Sequence, residues 1–477
     1  MVPDIHIGFL FWVTLTILRV GGLKLVNEGV HRVKVASRGS DSFLDDLGGF
    51  NKLHVVGPSQ SLRVVHLGKF YPPATGGIET HLETLAQAQA GLGADVSVVC
   101  VNHKNSRGED ITFRLLGSTP TSHDRDGVVK ICRVGRQASL ARFDVCAKLL
   151  PELWKILKGK PDVIHLHVPN PTMLLALAAI APRCPVVITH HSDVVRQKVL
   201  SRLIRPFEHI VFRKAAAVLA SSPLYPTGSE LLQAYERKVH ILPFGIDLSS
   251  FLNPNEQVRS HARRFVETHG EPIWLAVGRL VYYKGLENGI KALPHVPGKL
   301  LVVGEGPLKE SLQELASEEG VADRVIWMGR ISQDELLGAY QAATALWFPS
   351  NARSEAFGFV QIEAMASGCP VINTNIAGSG VPWVSRHEES GLTVPINDPM
   401  AFAGAANRLL NEAGLRERLA SQARERACRE FDHQMMGQRS LDLYRDIAER
   451  KQSGVGTKKR GGLSQTGTVS QNESVGV

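Results

Sequence analysis

Short apolar runs alternate with stretches of helical periodicity along most of this chain, in two successive series. The first series begins at Leu62-Arg-Val-Val-His-Leu67 and continues at 96–101, 128–132, 163–166, 186–189, 217–220 and 239–242. Between these runs, apolar residues recur at helical spacing near 80–90, 144–158, 171–181, 198–214 and 228–236. Pro243-Phe244-Gly245-Ile246-Asp247 breaks the pattern, and 248–270 reads as a polar crossover. A second series places strands at 273–277, 299–303, 325–328, 345–348, 370–373 and 392–394. Its helices fall near 284–292, 306–318, 332–341, 357–367 and 399–413. Continuous apolar strands separated by amphipathic helices predict parallel sheets covered on both faces. The expected class is therefore α/β, with two Rossmann-like, doubly wound domains.

The pattern divides the chain into an N-terminal extension (1–60), a first domain (61–245), a second domain (246–425), a helix at 426–450 and a tail at 451–477. The tail is rich in Ser, Gly, Thr, Asn and Gln and reads as disordered. In the extension, Ile5 to Leu18 is an apolar run of 14 residues, short of the roughly 20 that span a bilayer. It reads as a weak anchor, a buried appendage, or translated sequence upstream of a true start; the last, or a disordered extension, fits best.

Length and composition narrow the class. At 477 residues the chain is too long for one ordinary core. Six cysteines are scattered without a C-x-x-C pair, which argues against a zinc cluster and fits a reducing compartment. The net charge of +8 carries no nucleic-acid motif with it, so phosphate ligands or an anionic surface are better partners than nucleic acid. The stretch Lys198 to Lys214 mixes Arg202, Arg205 and Arg213 with Leu203, Ile204, Phe207 and Val211. Such a basic amphipathic helix is either an ordinary solvated helix or one that lies on an anionic membrane.

The candidate chemistry clusters at strand ends. Ser354 to Pro370 follows a predicted strand and holds Glu355 and Glu363, with Gly358 where a helix would start. Alone, that spacing equally describes two solvated glutamates on a core helix. In Ala276-Val-Gly278-Arg279-Leu-Val-Tyr-Tyr-Lys284-Gly285 a strand ends in glycine and two cations flank the next loop, suited to a diphosphate. Gly76-Gly77-Ile78-Glu79 also opens a helix after a strand, where backbone N–H groups can face an anion. Thr189-His190-His191-Ser192-Asp193 lies past another strand, where ligands bind in such sheets. Gly304 and Gly306 form a strand-end pair that falls short of the G-x-G-x-x-G fingerprint, so NAD has little support. His165 and His167 read as polar residues at a strand end, and Asp124-Arg125-Asp126 as a polar turn rather than a metal site.

The run Glu355-Ala-Phe-Gly-Phe-Val-Gln-Ile-Glu363-Ala-Met-Ala-Ser-Gly-Cys-Pro, together with Gly278-Arg279-x4-Lys284-Gly285, resembles the donor site of retaining glycosyltransferases of the family 4 (group 1) type. The resemblance covers about 62–445. It implies the GT-B architecture, with a nucleotide diphosphate sugar as donor. It assigns Arg279 and Lys284 to the departing diphosphate and Glu363 to the ribose. Glu355, with the backbone of Ala356, Phe357 and Gly358, would hold the donor sugar. Gly76, Gly77, Gly278, Gly304, Met328 and Gly329 would line the remaining donor pocket, and His191 would face the reacting sugar. It implies neither a side-chain nucleophile nor a metal or other cofactor.

The segments Gly380 to Pro395 and His191 to Lys198 resemble bacterial mannosyltransferase-like members that build surface polysaccharide. GDP-mannose is thus the expected donor and a UDP-hexose the alternative. The acceptor would be a glycan or a lipid-linked sugar, and the location cytoplasmic or peripheral at the inner face of the cell membrane. Two other classes stay open: a GT-B sugar-nucleotide epimerase and a non-catalytic sugar-nucleotide-binding protein.

Overall fold

The computed structural model describes residues 61–452, apart from 75, 113, 141–142 and 194–197. The expectations for residues 1–60 and 453–477 lie outside the described residues. The first lobe is built on β1 (Arg63–Leu67), β2 (Asp95–Val101), β3 (Ser122–Asp126) and β4 (Val129–Val134), followed by a hairpin of β5 (Ala138–Leu140) and β6 (Phe143–Val145). It continues with β7 (Val163–Val168), β8 (Val186–His190), β9 (Ala217–Ala220) and β10 (Val239–Ile241). The sheet order is β10-β9-β8-β7-β1-β2-β4-β3, parallel except for the β3–β4 edge pair. The second lobe holds β11 (Ile273–Val277), β12 (Lys299–Val303), β13 (Val325–Gly329), β14 (Ala345–Phe348), β15 (Val371–Thr374) and β16 (Gly391–Val394). Its order is β13-β12-β11-β14-β15-β16, all parallel. Both orders reverse beside the first strand of their lobe, which opens a crevice at the carboxyl ends of the strands.

Three parts depart from the sequence expectation. Asp124-Arg125-Asp126 is not a turn but the edge strand β3. Arg133 holds Asp124 at 3.0 Å and the Tyr71 hydroxyl donates to Asp126 at 2.7 Å, so the two carboxylates are structural. The strand carries no apolar alternation, which hid it. The crossover 248–270 contains a helix, Glu256–His269, capped by Asn255 and burying only Val258 and Phe265. Two apolar anchors in fourteen residues give too narrow a stripe to read. The third is the β5–β6 hairpin, three residues a strand. Among the described residues, no helix is long and apolar enough to cross a membrane.

The last helix, His433–Gln452, lies on the first lobe. Met436, Leu441 and Tyr444 pack with Val64, Val163, Val187, Leu85 and Leu219. Strand alternation puts His66 of β1 and His165 and His167 of β7 on that same covered face. His66 pairs in register with His165. Neither His165 nor His167 is a strand-end residue open to solvent; both are buried in the body of β7. Tyr444 O–H lies 2.6 Å from His165 Nδ1, and His165 Nε2 lies 2.6 Å from Thr189 Oγ1.

A polar layer inside an apolar core is tolerated where its members are uncharged and most of them are paired. Burial lowers the pKa of His66 to about 4 and of His191, joined to it through His167, to about 3. Burial, reinforced by mutual repulsion, takes His81, His165 and His167 well below the usual imidazole range. Below pH ~6.5 the unfolded chain therefore binds protons that the folded chain refuses, and folding stability falls with pH. The carboxyls of Glu79, Glu83, Glu208 and Glu363, raised by burial, act in the opposite sense. The histidines outweigh them: they are five against four carboxyls, and two of them are taken as low as about 4 and about 3. Each neutral histidine costs about 1.4 kcal/mol per pH unit over this window. Denaturant unfolding followed from pH 7 to pH 4 will show a progressive loss of stability starting near the ordinary histidine pKa of about 6.5; a flat profile contradicts the neutral histidine layer.

Candidate active site

The cation pair is placed by the end of β11. The strand runs into Gly278 and Arg279, and the 3-10 turn Tyr282–Lys284 brings the chain back over the strand end. Lys284 Nζ lies 2.7 Å from Glu355 Oε2, with both side chains mostly covered. The ammonium also stands 4.9 Å from the Phe348 ring centre, a favourable cation–ring arrangement. A Cβ on Gly278, whose φ is 141°, would be strained and would lie 3.1 Å from Lys284 Cε, crowding the lysine. Arg279 is exposed and has no carboxylate partner among the described residues. Arg279 and Lys284 line one recess with Gly278 and Ser350.

The strand β14 ends at Phe348 and delivers Ser350 and Glu355 to the same point. Ser350 Oγ donates to Glu355 Oε2 at 3.3 Å, and Ser379 Oγ donates to the Glu355 carbonyl at 2.5 Å. Gly358 then turns the chain at φ 83°, a conformation that favours glycine. A Cβ there would also sit 2.7 Å from the Phe348 ring. The helix Phe359–Ala366 follows and carries Glu363. Tyr340 O–H donates to Glu363 Oε2 at 2.8 Å. Burial raises the Glu363 pKa, while the Tyr340 hydrogen bond and the Lys284 charge pull the other way. Lys284 thus acts on both glutamates, which the sequence separates by seven residues.

The carboxyl ends of β11, β12 and β13 form a row of glycines. Gly304 N donates to the Gly329 carbonyl at 2.7 Å, and a Cβ on Gly304 would collide with the Gly278 carbonyl. Met328 packs half-buried on the second-lobe core beside this row. On the first lobe, Gly76 and Gly77 open the helix Gly77–Gly91, and a Cβ on Gly77 would lie 3.7 Å from the Phe359 ring. His191 follows β8. Its ring centre is 5.1 Å from Phe244, whose ring is 5.1 Å from Phe357. One aromatic therefore joins the predicted first-lobe histidine to Ala356, Phe357 and Gly358 of the second lobe. His190 turns the other way, 3.4 Å from Asp193 and against Phe212 and Tyr225.

Several residues at this junction escaped the sequence reading. Arg353 Nη1 lies 2.7 Å from Asp193, and its guanidinium covers the Tyr225 ring at 4.8 Å, pinning the lobes together. Ser350, Tyr340 and Phe244 support named site residues but sit in no recognisable spacing. Arg353 stands one residue before the Ser354 to Pro370 stretch, and Phe244 lay in a run read only as a break in the pattern. Among the described residues, the histidines also form groups of metal-ligand size, His66 with His165 and His167, and His81 with His167 and His191. Both ring nitrogens of His66 and of His165 are hydrogen-bonded within the protein.

Comparison with known proteins agrees with this geometry. The model described as Glycosyltransferase Family 4 matches residues 75–250, and the model described as Glycosyl transferases group 1 matches 258–426. The chain is 31% identical to the D-rhamnosyltransferase WbpZ of Pseudomonas aeruginosa over 366 residues, 76% of this chain and 91% of that protein. It is 29% identical to the O-antigen chain mannosyltransferase C of Escherichia coli over 393 residues, 82% of this chain and 100% of that protein. A solved sucrose-phosphate synthase from Thermosynechococcus elongatus superposes with a TM-score of 0.61 at 23% identity, covering 81% of this chain and 99% of that one. HepE of Anabaena, solved with UDP, superposes with a TM-score of 0.63 at 18% identity, covering 81% of this chain and 100% of that one. Two crevice-forming parallel sheets, a cation pair beside a double-glutamate motif and these likenesses agree: the chain belongs to glycosyltransferase family 4, the retaining group 1 enzymes of GT-B fold that move a sugar from a nucleotide-sugar.

Proposed function

We propose that the chain transfers a hexose, mannose from GDP-mannose in the first instance, to a glycan or lipid-linked acceptor of a surface polysaccharide or glycolipid. The observation that carries the reading is Lys284 on Glu355 at 2.7 Å, beside the glycine row and an exposed Arg279 without a carboxylate partner among the described residues. Positive charge fixed at the carboxyl ends of parallel strands is suited to a diphosphate. The donor sugar is argued from the relatives, one of which is named a mannosyltransferase.

In this reading Arg279 and Lys284 stabilise the charge that grows on the diphosphate as the anomeric carbon–oxygen bond breaks. The acceptor oxygen attacks from the face that the diphosphate leaves. Its proton passes to the departing phosphate oxygen, so no side-chain nucleophile is needed. Glu363 holds the ribose hydroxyls, which accounts for a half-buried carboxylate with one oxygen set on Tyr340. Glu355, with the backbone of Ala356, Phe357 and Gly358, holds the sugar hydroxyls. His191, close to Phe357 through Phe244, meets the reacting sugar from the first lobe. Family members generally need no metal, and here two side-chain cations carry the charge that a metal would.

Kinetics with GDP-mannose test the roles. Lys284→Ala removes a group that acts on developing charge and will lower kcat/KM by about 10²–10³. Glu363→Ala removes uniform binding and will raise the donor KM by about tenfold with a smaller change in kcat. Full transfer rates in both variants overturn the site. The donor base is read by thermal shift, because a ligand bound to the folded state at a hundred times its Kd adds about 2.7 kcal/mol. GDP will raise Tm more than UDP at equal concentration; the reverse order replaces GDP-mannose with a UDP-hexose.

A further inference from the structure

We infer that Gln89 is a positioning residue: held by the returning helix, its amide fixes which ring nitrogen of His191 carries the proton. The inference rests on the proposed placement of His191 against the reacting sugar.

One continuous chain of hydrogen bonds runs from the last helix to His191. It starts on the helix His433–Gln452, where Ser440 Oγ donates to the Gly437 carbonyl at 2.6 Å. A carbonyl can only accept, so the Ser440 oxygen faces Gln89 as an acceptor. Gln89 Nε2 donates to Ser440 Oγ at 2.7 Å and to Tyr444 O at 3.3 Å. The Tyr444 proton is then free for His165 Nδ1, 2.6 Å away. With both amide hydrogens placed on hydroxyls, Gln89 turns Oε1 toward His66 Nε2, 2.8 Å away. His66 must therefore carry its proton on Nε2 and leave Nδ1 as an acceptor.

The next links repeat the step. His66 Nδ1 and His167 Nε2 are 3.1 Å apart, so His167 donates from Nε2 and accepts at Nδ1. His167 Nδ1 and His191 Nε2 are 3.1 Å apart, so His191 carries its proton on Nε2. A neutral imidazole has one proton, and His191 Nδ1 is left bare. That nitrogen has no hydrogen-bond partner among the described residues. It can accept a hydrogen bond from a sugar hydroxyl and cannot donate one. Gln89 and Ser440 are both buried, so water does not compete with the order. The mirror-image order needs Gln89 turned over, with Ser440 and Tyr444 both donating to it and the Ser440 and Tyr444 bonds to Gly437 and His165 given up.

Long-range 1H–15N correlation spectra of the full chain, labelled at histidine nitrogen, test this directly. The His191 signals are assigned by their loss in His191→Asn. The wild type will show His191 with its proton on Nε2. Gln89→Glu will keep that state, since a carboxylate oxygen accepts from His66 as the amide oxygen does. Gln89→Met, which fills the space without directing the bond, will give a mixture of tautomers. Ser440→Ala with Tyr444→Phe leaves Gln89 in place but frees its amide, and gives the same mixture if the methionine variant fails to fold. A proton on His191 Nδ1 in the wild type overturns the inference. So does an unchanged His191 tautomer in a folded variant that lacks the director. Alongside the spectra, kcat will fall about tenfold in Gln89→Met with the donor KM unchanged, one lost hydrogen bond in the transition state. If the tautomer changes but kcat does not, Gln89 still sets the proton and the proposed role of His191 falls instead.

Discussion

A lysine ammonium set on a buried carboxylate is the contact on which the second lobe's site depends. Lys284 reaches Glu355 only because β11 and β14 are neighbours in the sheet and both end at the crevice. Glycine at 278 keeps the path of the lysine open, and glycine at 358 lets the chain turn under Phe348 into the helix that carries Glu363. Neither charge could stand alone in this setting: breaking such a pair typically costs about 3–5 kcal/mol, because one charge stays buried without a partner. Arg279, exposed and without a carboxylate partner among the described residues, adds positive charge beside the pair.

The first lobe is organised by a different constraint. Its central strands carry histidine where a doubly covered sheet would carry valine or isoleucine. His66, His165 and His167 are tolerated because Gln89, Thr189, Tyr444, His191 and one another give their nitrogens partners, with Ser440 holding Gln89 in turn. His81 sits in the same layer, and among the described residues neither of its ring nitrogens has a hydrogen-bond partner. Two of the partners, Ser440 and Tyr444, come from the last helix, after the chain has passed through the whole second lobe. That helix therefore does more than cover apolar surface; it completes a polar network that runs to the crevice. Arg353 on Asp193 and Gly77 against Phe359 hold the lobes at the spacing at which both sets of residues face one another.

The parallel strands were legible in the sequence because both their faces are buried, and continuous runs such as Lys299–Val303 and Ala345–Phe348 have no polar interruption. The donor motifs were legible because they are local: Glu355 to Glu363 and Gly278 to Lys284 each span one strand end and one turn. What stayed hidden is what depends on partners distant in sequence. The β3 strand is polar throughout and exists through pairing with β4. Phe244 reads as part of a break, yet it is the ring that touches His191, Phe357 and Phe359. His165 and His167 look like strand-end polar residues until Tyr444, 279 positions after the first of them, is brought against it. The two cations were visible as charges, but only the fold shows that Lys284 acts on both glutamates.

The central claim is that the two cations of the second lobe bind the diphosphate rather than the rest of the donor. Calorimetric titration separates these contributions when GDP and guanosine are each titrated into the wild type and into an Arg279→Ala, Lys284→Met double variant. The account predicts that GDP affinity collapses in the variant while guanosine binds both proteins equally. Equal GDP affinity in the two proteins would contradict it.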